Sequence, residues 1–486
     1  MTLKEKTING LVWSFIDNFA NQGIQFVVGI VLARLLSPQE FGLIGMLTIF
    51  IAVSQSFIDS GFSNALIRKK DCTNEDYSTV FYFNLSIGII FYFLLFISAQ
   101  AISVFFKEPQ LKLLLQILGL SLIINSLTII QRTILIKRIN FKLQTRISVI
   151  SALLSGGISI TMALKGYGVW SLVAKTILGY AITSLLLWLW NKWNPIHVFS
   201  KKSFKELFGF GSKLLISGLI DTIYRNVYYL VIGKYFSAQE LGYYTRADQF
   251  KTLPSQNISD VMTRVTYPVL SQLQDEPEKL KTAYKKMIKS IMLISFALMI
   301  GMCAVAEPLV ITLVGIKWQP SVIYLQLLCF GGMLYPLHAL NLNMLQVQGR
   351  SDLFLKLEII KKILAIPTII IGVFLGIKFM IMGMIVNSII AYYLNSYWSG
   401  KFINYSTKEQ IIDILPTFLI SLFMGICVYL LGIILHCNHW IILFCQLCLG
   451  TVLMFSLCRI LKIDAYLELN AIVIEQLKKN KNGNKQ

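Results

Sequence analysis

Apolar runs, most of them 20 or more residues long, follow one another along the chain with only short polar connections between them. A helix crosses the hydrocarbon layer with about 20 apolar residues. The runs lie near 9–36, 40–64, 77–106, 111–136, 147–164, 168–191, 206–236, 239–270, 290–315, 318–347, 354–376, 378–400, 411–435 and 439–461. This pattern predicts an all-α, polytopic membrane protein with about fourteen transmembrane helices. The eighth run is the most polar of the set. The first run is too long for a signal peptide and has no small-residue cleavage site, so it reads as the first membrane helix. No connection is long enough for a separate soluble domain.

Composition agrees: 56% of the 486 residues are hydrophobic and 14% are charged. Soluble domains carry roughly 45–50% apolar and about 25% charged residues. The net charge of +20 complicates the picture, because a basic balance usually indicates nucleic acid or an anionic surface. Sorting the cations by connection removes the difficulty. One side holds 28 lysines and arginines and the other 7, which places both termini in the cytoplasm and needs no nucleic-acid partner. Nine cations remain inside the runs: Arg132, Lys175, Lys213, Arg225, Arg246, Lys251, Arg264, Lys361 and Lys362. Arg132 and Lys213 lie near span ends and read as snorkelling side chains. The others need a reason, because charge facing lipid is costly.

The chain repeats itself at an offset of 200. Ser37, Gln39, Glu40 and Gly42 recur as Ser237, Gln239, Glu240 and Gly242, each time in the turn between the first and second helix of a six-helix set. The expected plan is two parallel six-helix lobes, residues 1–200 and 201–405. Two further helices follow in 406–462, then a cytoplasmic amphipathic tail in 463–486. An even number of helices per lobe makes the lobes parallel repeats about an axis along the membrane normal, an arrangement that binds substrate between the halves. Ser37 with Glu40 three residues on predicts a capping box for the second helix.

The first two helices of each lobe carry polar stripes. Helical spacing aligns Ser14, Asp17, Asn18, Asn21 and Gln25 in the first helix, and the second adds Thr48, Gln55 and Asp59. The seventh has Ser217, Asp221, Tyr224, Arg225 and Tyr228. The eighth has Arg246, Gln249, Gln256, Asn257, Asp260, Arg264 and Tyr267. Asp221/Arg225 and Asp260/Arg264 stand at i, i+4, where they can pair and lower the cost of burial. Pro254 interrupts the eighth helix and frees backbone groups that a wet cavity or a neighbour must satisfy. These faces are expected to meet between the lobes and line one cavity. Two readings stay open: structural pairs between helices, or a site for substrate and ions.

Arg225, Arg246 and Arg264, with Lys175 of the sixth helix, suit a phosphate group, which arginine grips bidentately. Two roles fit Asp17, Asp59, Asp221 and Asp260: binding Na⁺ or H⁺ to couple transport, or holding the arginines. No cofactor or metal motif is read. Cys445-x-x-Cys448 lies within an apolar run, which disfavours zinc or redox chemistry. His436 and His439 belong to a solvated turn. His338 reads as a satisfied core histidine, and Glu307-Pro308 as a helix break. The tail pattern of Leu467, Ala471, Ile474 and Leu477, followed by lysines, suits the inner surface against anionic lipid.

The run Leu32-Ala33-Arg34-Leu35-Leu36-Ser37-Pro38-Gln39-Glu40-Phe41-Gly42-Leu43 resembles the first external turn of Wzx-like polysaccharide exporters. Gly242-Tyr243-Tyr244-Thr245-Arg246-Ala247, Leu253-Pro254 and Tyr267-Pro268-Val269-Leu270-Ser271-Gln272-Leu273-Gln274-Asp275 resemble that family's eighth helix. These exporters belong to the multidrug/oligosaccharidyl-lipid/polysaccharide (MOP) superfamily, and the likeness is to the colanic- and teichuronic-acid branch. The resemblance implies a flippase without enzymatic activity in the bacterial cytoplasmic membrane. It would move undecaprenyl-pyrophosphate-linked oligosaccharide from the inner to the outer leaflet, for lipopolysaccharide O-antigen, capsule or exopolysaccharide. It also implies ion-coupled alternating access, cationic cavity residues for the pyrophosphate and the polysaccharide polymerase machinery as a partner. Of the arginines, Arg246 falls within the matched motif, whereas Arg225 and Arg264 come from the helix faces. A drug/cation antiporter of the same superfamily is the nearest rival, disfavoured by two extra helices and the buried arginines. A membrane-bound polymerase or glycosyltransferase would need a large external loop or an acidic metal motif.

Overall fold

The computed structural model describes residues 3–468, 470 and 471, without the side chains of 3–12, 14, 15, 18, 260, 261, 264 and 265. Among these residues the chain is helical throughout and forms two compact units, residues 1–245 and 246–486. The first holds α1 (Leu3–Leu35), α2 (Pro38–Asp59), α3 (Phe62–Arg68), α4 (Asn74–Phe106), α5 (Gln110–Leu118), α6 (Leu120–Lys137), α7 (Phe141–Leu164), α8 (Trp170–Asn191) and α9 (Lys201–Tyr235). Helix α10 (Ala238–Gln272) begins in the first unit and continues in the second. The second unit then holds α11 (Pro277–Ala304), α12 (Ala306–Val314), α13 (Ser321–Gly332), α14 (Tyr335–Val347), α15 (Ser351–Leu375), α16 (Ile377–Phe402), α17 (Thr407–Ile434) and α18 (His439–Ile460).

Each of the fourteen expected runs coincides with one helix or with a helix broken in two. The break expected at Glu307-Pro308 falls at Val305, between α11 and α12. Among the described residues, eleven helices are long and apolar enough to cross a membrane. Of α1, the described stretch Phe19–Leu35 is apolar; α10 carries Arg246, Asp248, Lys251 and Arg264, and α15 carries Lys356, Glu358, Lys361 and Lys362, so neither of these two is apolar enough to be counted. The chain is a multi-pass membrane protein, and its outer surface is correspondingly inverted. Ile97, Phe374 and Ile434 are 77%, 81% and 69% exposed, as side chains are when lipid replaces water as the solvent.

Each unit has its own apolar core. In the first, Phe62, Leu66, Phe81, Ile130, Ile134 and Leu207 join α3, α4, α6 and α9. Val28 and Leu32 of α1 pack with Ala163 of α7. In the second, Tyr284, Ile288 and Met292 of α11 pack with Leu337, Leu340 and Met344 of α14 and with Tyr405. The expected amphipathic tail is described as far as residue 471. Residues 464–468 are helical, with Asp464 3.4 Å from Lys289 and Glu468 2.8 Å from Lys286 of α11. Ile474, Leu477 and the lysine cluster lie outside the described residues.

Candidate functional site

The repeated turn is the point from which the polar helices start. Ser37 and Glu40 form the expected capping box: the Ser37 amide donates to the Glu40 carboxylate at 2.6 Å, and the Glu40 amide donates back to Ser37 Oγ at 3.4 Å. In the second copy the Glu240 amide donates to Ser237 Oγ at 3.1 Å. The two copies also meet. A Cβ on Gly42 would run into the Ala238 carbonyl, and a Cβ on Gly242 into the Pro38 carbonyl. Each glycine thus lets the other turn's backbone approach within contact distance. The sequence comparison found the matched glycines but gave no sign that they touch.

Five helices of the first unit bring polar side chains inward. Asp17 of α1 is buried and accepts from Ser148 Oγ and, at 3.3 Å, from Gln144 Nε2, both on α7. Gln55 of α2 donates to the Tyr180 hydroxyl of α8 at 3.1 Å. Arg132 of α6, read from sequence as a snorkelling cation at a helix end, is exposed. Asn21 is half-buried and Gln25 exposed on α1, and Lys175 is half-buried on α8. Asp59 is occupied locally: Ser63 Oγ of α3 donates to it at 2.5 Å.

On α9 the expected i, i+4 pair forms, Arg225 Nε to Asp221 Oδ2 at 2.9 Å, on a solvent-open stretch with side chains 57% and 43% exposed. Tyr228 one turn on is buried and Tyr224 half-buried. The seventh-helix stripe therefore belongs with the first unit.

Helix α10 runs on through Pro254 and Pro268. Around Pro254, side chains bond back to the backbone: Ser255 Oγ to the Lys251 carbonyl at 2.9 Å and Asn257 Nδ2 to the Leu253 carbonyl at 2.7 Å. These are back-bonds to the i−4 carbonyl, which Ser and Asn make within helices. Arg246 is buried, with its guanidinium over the Trp318 ring at 5.1 Å. A cation over the face of an indole is attracted by the ring quadrupole. Gln249 is exposed. The side chains of Asp260 and Arg264 lie outside the described residues. Thr263, Tyr267, Pro268, Asn343 and Gln346 line a depression of about 320 Å³ in the second unit.

A second charged group, not singled out as a site from sequence, sits on α15. Glu358 pairs with Lys361 and, at 3.9 Å, with Lys362. His338 of α14 lies 3.0 Å from Ser388 Oγ through Nε2, a satisfied histidine. Among the described residues no three His, Cys, Asp or Glu side chains gather as metal ligands. All eight cysteines carry free thiols.

Comparison with known proteins follows this geometry. The family described as "Polysaccharide biosynthesis protein" matches residues 31–323. The teichuronic acid biosynthesis protein TuaB of Bacillus subtilis (strain 168) is 27% identical over 354 residues, 72% of this chain and 73% of its own. The lipopolysaccharide biosynthesis protein WzxC of Escherichia coli (strain K12) is 28% identical over 378 residues, 76% of each chain. Among solved structures, the lipid II flippase MurJ in an inward closed conformation superposes with a TM-score of 0.76. It covers 94% of this chain and 99% of its own at 16% identity, so what the two share is the fold.

Proposed function

The chain belongs to the polysaccharide biosynthesis protein family, and from that premise we propose that it is a flippase for lipid-linked oligosaccharide. It moves undecaprenyl-pyrophosphate-linked repeat units from the inner to the outer leaflet of the bacterial cytoplasmic membrane by alternating access. The product feeds surface polysaccharide assembly. The observation that carries the reading is the family match over residues 31–323. Relatives named for polysaccharide biosynthesis, aligned over about three-quarters of the chain, support it.

In this reading the protein is a transporter and catalyses no bond change. Both termini are cytoplasmic, as the 28 to 7 division of cations argues. The repeated halves 1–200 and 201–405 are the moving lobes, 406–462 adds two helices, and polymerase machinery receives the product. Arg225, Arg246 and Arg264 meet the pyrophosphate, and Lys175 adds positive charge. Asp17, Asp59, Asp221 and Asp260 supply ion-coupling or counter-charge. Asn21, Gln25, Gln55, Gln249, Asn257, Tyr224 and Tyr228 give the lumen its polar lining.

Deleting the gene is expected to abolish the surface polymer and accumulate a lipid-linked oligosaccharide on the inner leaflet, with the intact chain restoring export. A deletion strain with normal polymer and no such intermediate overturns the reading, and lost drug resistance instead would favour an antiporter. Arg225→Ala, Arg246→Ala and Arg264→Ala, each inserted at normal level, should each reduce export. Full export by all three removes the binding-site assignment. Transport in proteoliposomes that ignores Na⁺ and pH gradients removes the coupling assignment.

A further inference from the structure

Within the second unit, α10 and α14 meet along an apolar seam: Leu270, with Ile258 and Met262, packs with Leu337, Leu340 and Met344. Beside this seam lies the depression of about 320 Å³, with Thr263, Tyr267 and Pro268 on α10 and Asn343 and Gln346 on α14. Spacings of four and three put Thr263 with Tyr267, and Asn343 with Gln346, on one face of their helices. The volume falls at the lower end of the range for small-ligand pockets, about 300–1,000 Å³.

Two asparagines of α14 are treated differently. Asn341 is saturated: its side-chain oxygen accepts from Tyr284 at 3.0 Å and from Ser399, and its Nδ2 donates to the Leu337 carbonyl at 2.9 Å. Asn343, two residues on, is 7% exposed, and its Nδ2 has no hydrogen-bond partner among the described residues. An unpaired buried donor is costly, and native structures keep few of them. This one borders a cavity, so a ligand that accepts from it there removes the cost.

The lining residues select the kind of ligand. All of those described are uncharged, so they offer an ionic group no counter-charge. A purely apolar ligand would leave the Asn343 amide unpaired. Thr263, Asn343 and Gln346 both donate and accept, as sugar hydroxyls do. Tyr267 presents a ring that is 41% exposed. The C–H face of a pyranose is apolar and slightly electropositive, which suits the negative face of an aromatic ring. The two helices end shortly beyond, at Gln272 and Val347. Both ends lie on the side to which the cation count assigns the cytoplasm, where a lipid-linked sugar arrives before translocation.

We infer that this depression is a sugar subsite: it takes one pyranose ring of the oligosaccharide on the loading side, with Asn343 donating to a sugar oxygen and Tyr267 against the C–H face. This rests on the flippase reading and adds to it the place where the glycan, as distinct from its lipid anchor, is recognised.

The test uses the full-length protein in nanodiscs and two probes: the lipid-linked oligosaccharide extracted from the deletion strain, and undecaprenyl pyrophosphate, which lacks the sugar. Asn343→Leu keeps the volume and loses the amide. It is expected to weaken oligosaccharide binding by several-fold to about tenfold and to leave undecaprenyl pyrophosphate binding unchanged. Tyr267→Ala should do the same, whereas Tyr267→Phe, which keeps the ring, should bind as the wild type does. The exposed Tyr267 keeps the test open if Asn343→Leu does not insert. Wild-type oligosaccharide affinity in either inserted variant overturns the inference, and so does an equal loss for both probes. In those cases the flippase reading stands if the wild-type protein binds the extracted lipid-linked oligosaccharide. A deletion strain that accumulates no such intermediate, or a wild-type protein that does not bind it, overturns both.

Discussion

In the second unit Glu358 finds Lys361 and Lys362 one turn further along its own helix, whereas in the first unit Asp17 of α1 takes its partners from α7 and leaves Arg132 of α6 exposed. A pair within one helix forms whenever the helix forms, so its charges are neutralised before any tertiary contact is made. A constellation drawn from several helices can saturate the anion with neutral donors instead. The α9 pair Asp221–Arg225 is a third, intermediate case, local like the first but more than two-fifths exposed on both sides.

The contrast can be broken at three places. The largest effect is expected from Glu358→Gln, which leaves Lys361 (13% exposed) without its carboxylate. Removing one partner of a buried pair costs about 3–5 kcal/mol, and the residual exposure here places the loss toward the lower end. The thermal midpoint of the purified protein should fall clearly, and an unchanged midpoint would show that the lysines are satisfied without Glu358. Next comes Ser148→Ala, which removes one of the two donors to the buried Asp17 carboxylate. A hydrogen bond to a charged group contributes about 1.5–3 kcal/mol, so a moderate drop in midpoint is expected. No drop would mean that Gln144 alone serves Asp17. The smallest effect is expected from Asp221→Asn. An exposed pair contributes roughly 0–1 kcal/mol, so the midpoint should hardly move. If export nevertheless falls, the Asp221–Arg225 pair matters for transport and not for the fold.

Much of this arrangement was legible in the chain. Each apolar run coincides with a helix or a broken helix, although α11 starts at Pro277, well before the run at 290, and the 200-residue offset marked the matched turns. Ser37 and Glu40 announced their capping box, because capping needs only four consecutive residues. The pair Asp221–Arg225 followed from spacing alone. Arg132, five residues from the end of α6, is indistinguishable in sequence from a snorkelling cation. Asp17 was visible as a polar residue on a striped face, but its donors lie 127 and 131 positions away. The matched glycines were seen, and their reciprocal contact was not.

The sequence by itself determined that the chain crosses a membrane many times, roughly where its helices lie, and which charges can pair within a single turn. Those features depend on transfer free energy, helical periodicity and contacts a few residues apart, all of which are fixed by order along the chain. The tertiary structure decided which way each helix is rotated about its axis and which helix becomes its neighbour. That choice set the backbone of Ala238 against Gly42 and that of Pro38 against Gly242, gave Asp17 its donors and left Arg132 exposed. Where a helix is apolar on all sides, hydropathy alone does not select the face that turns inward. Packing of small residues and satisfaction of polar groups select it.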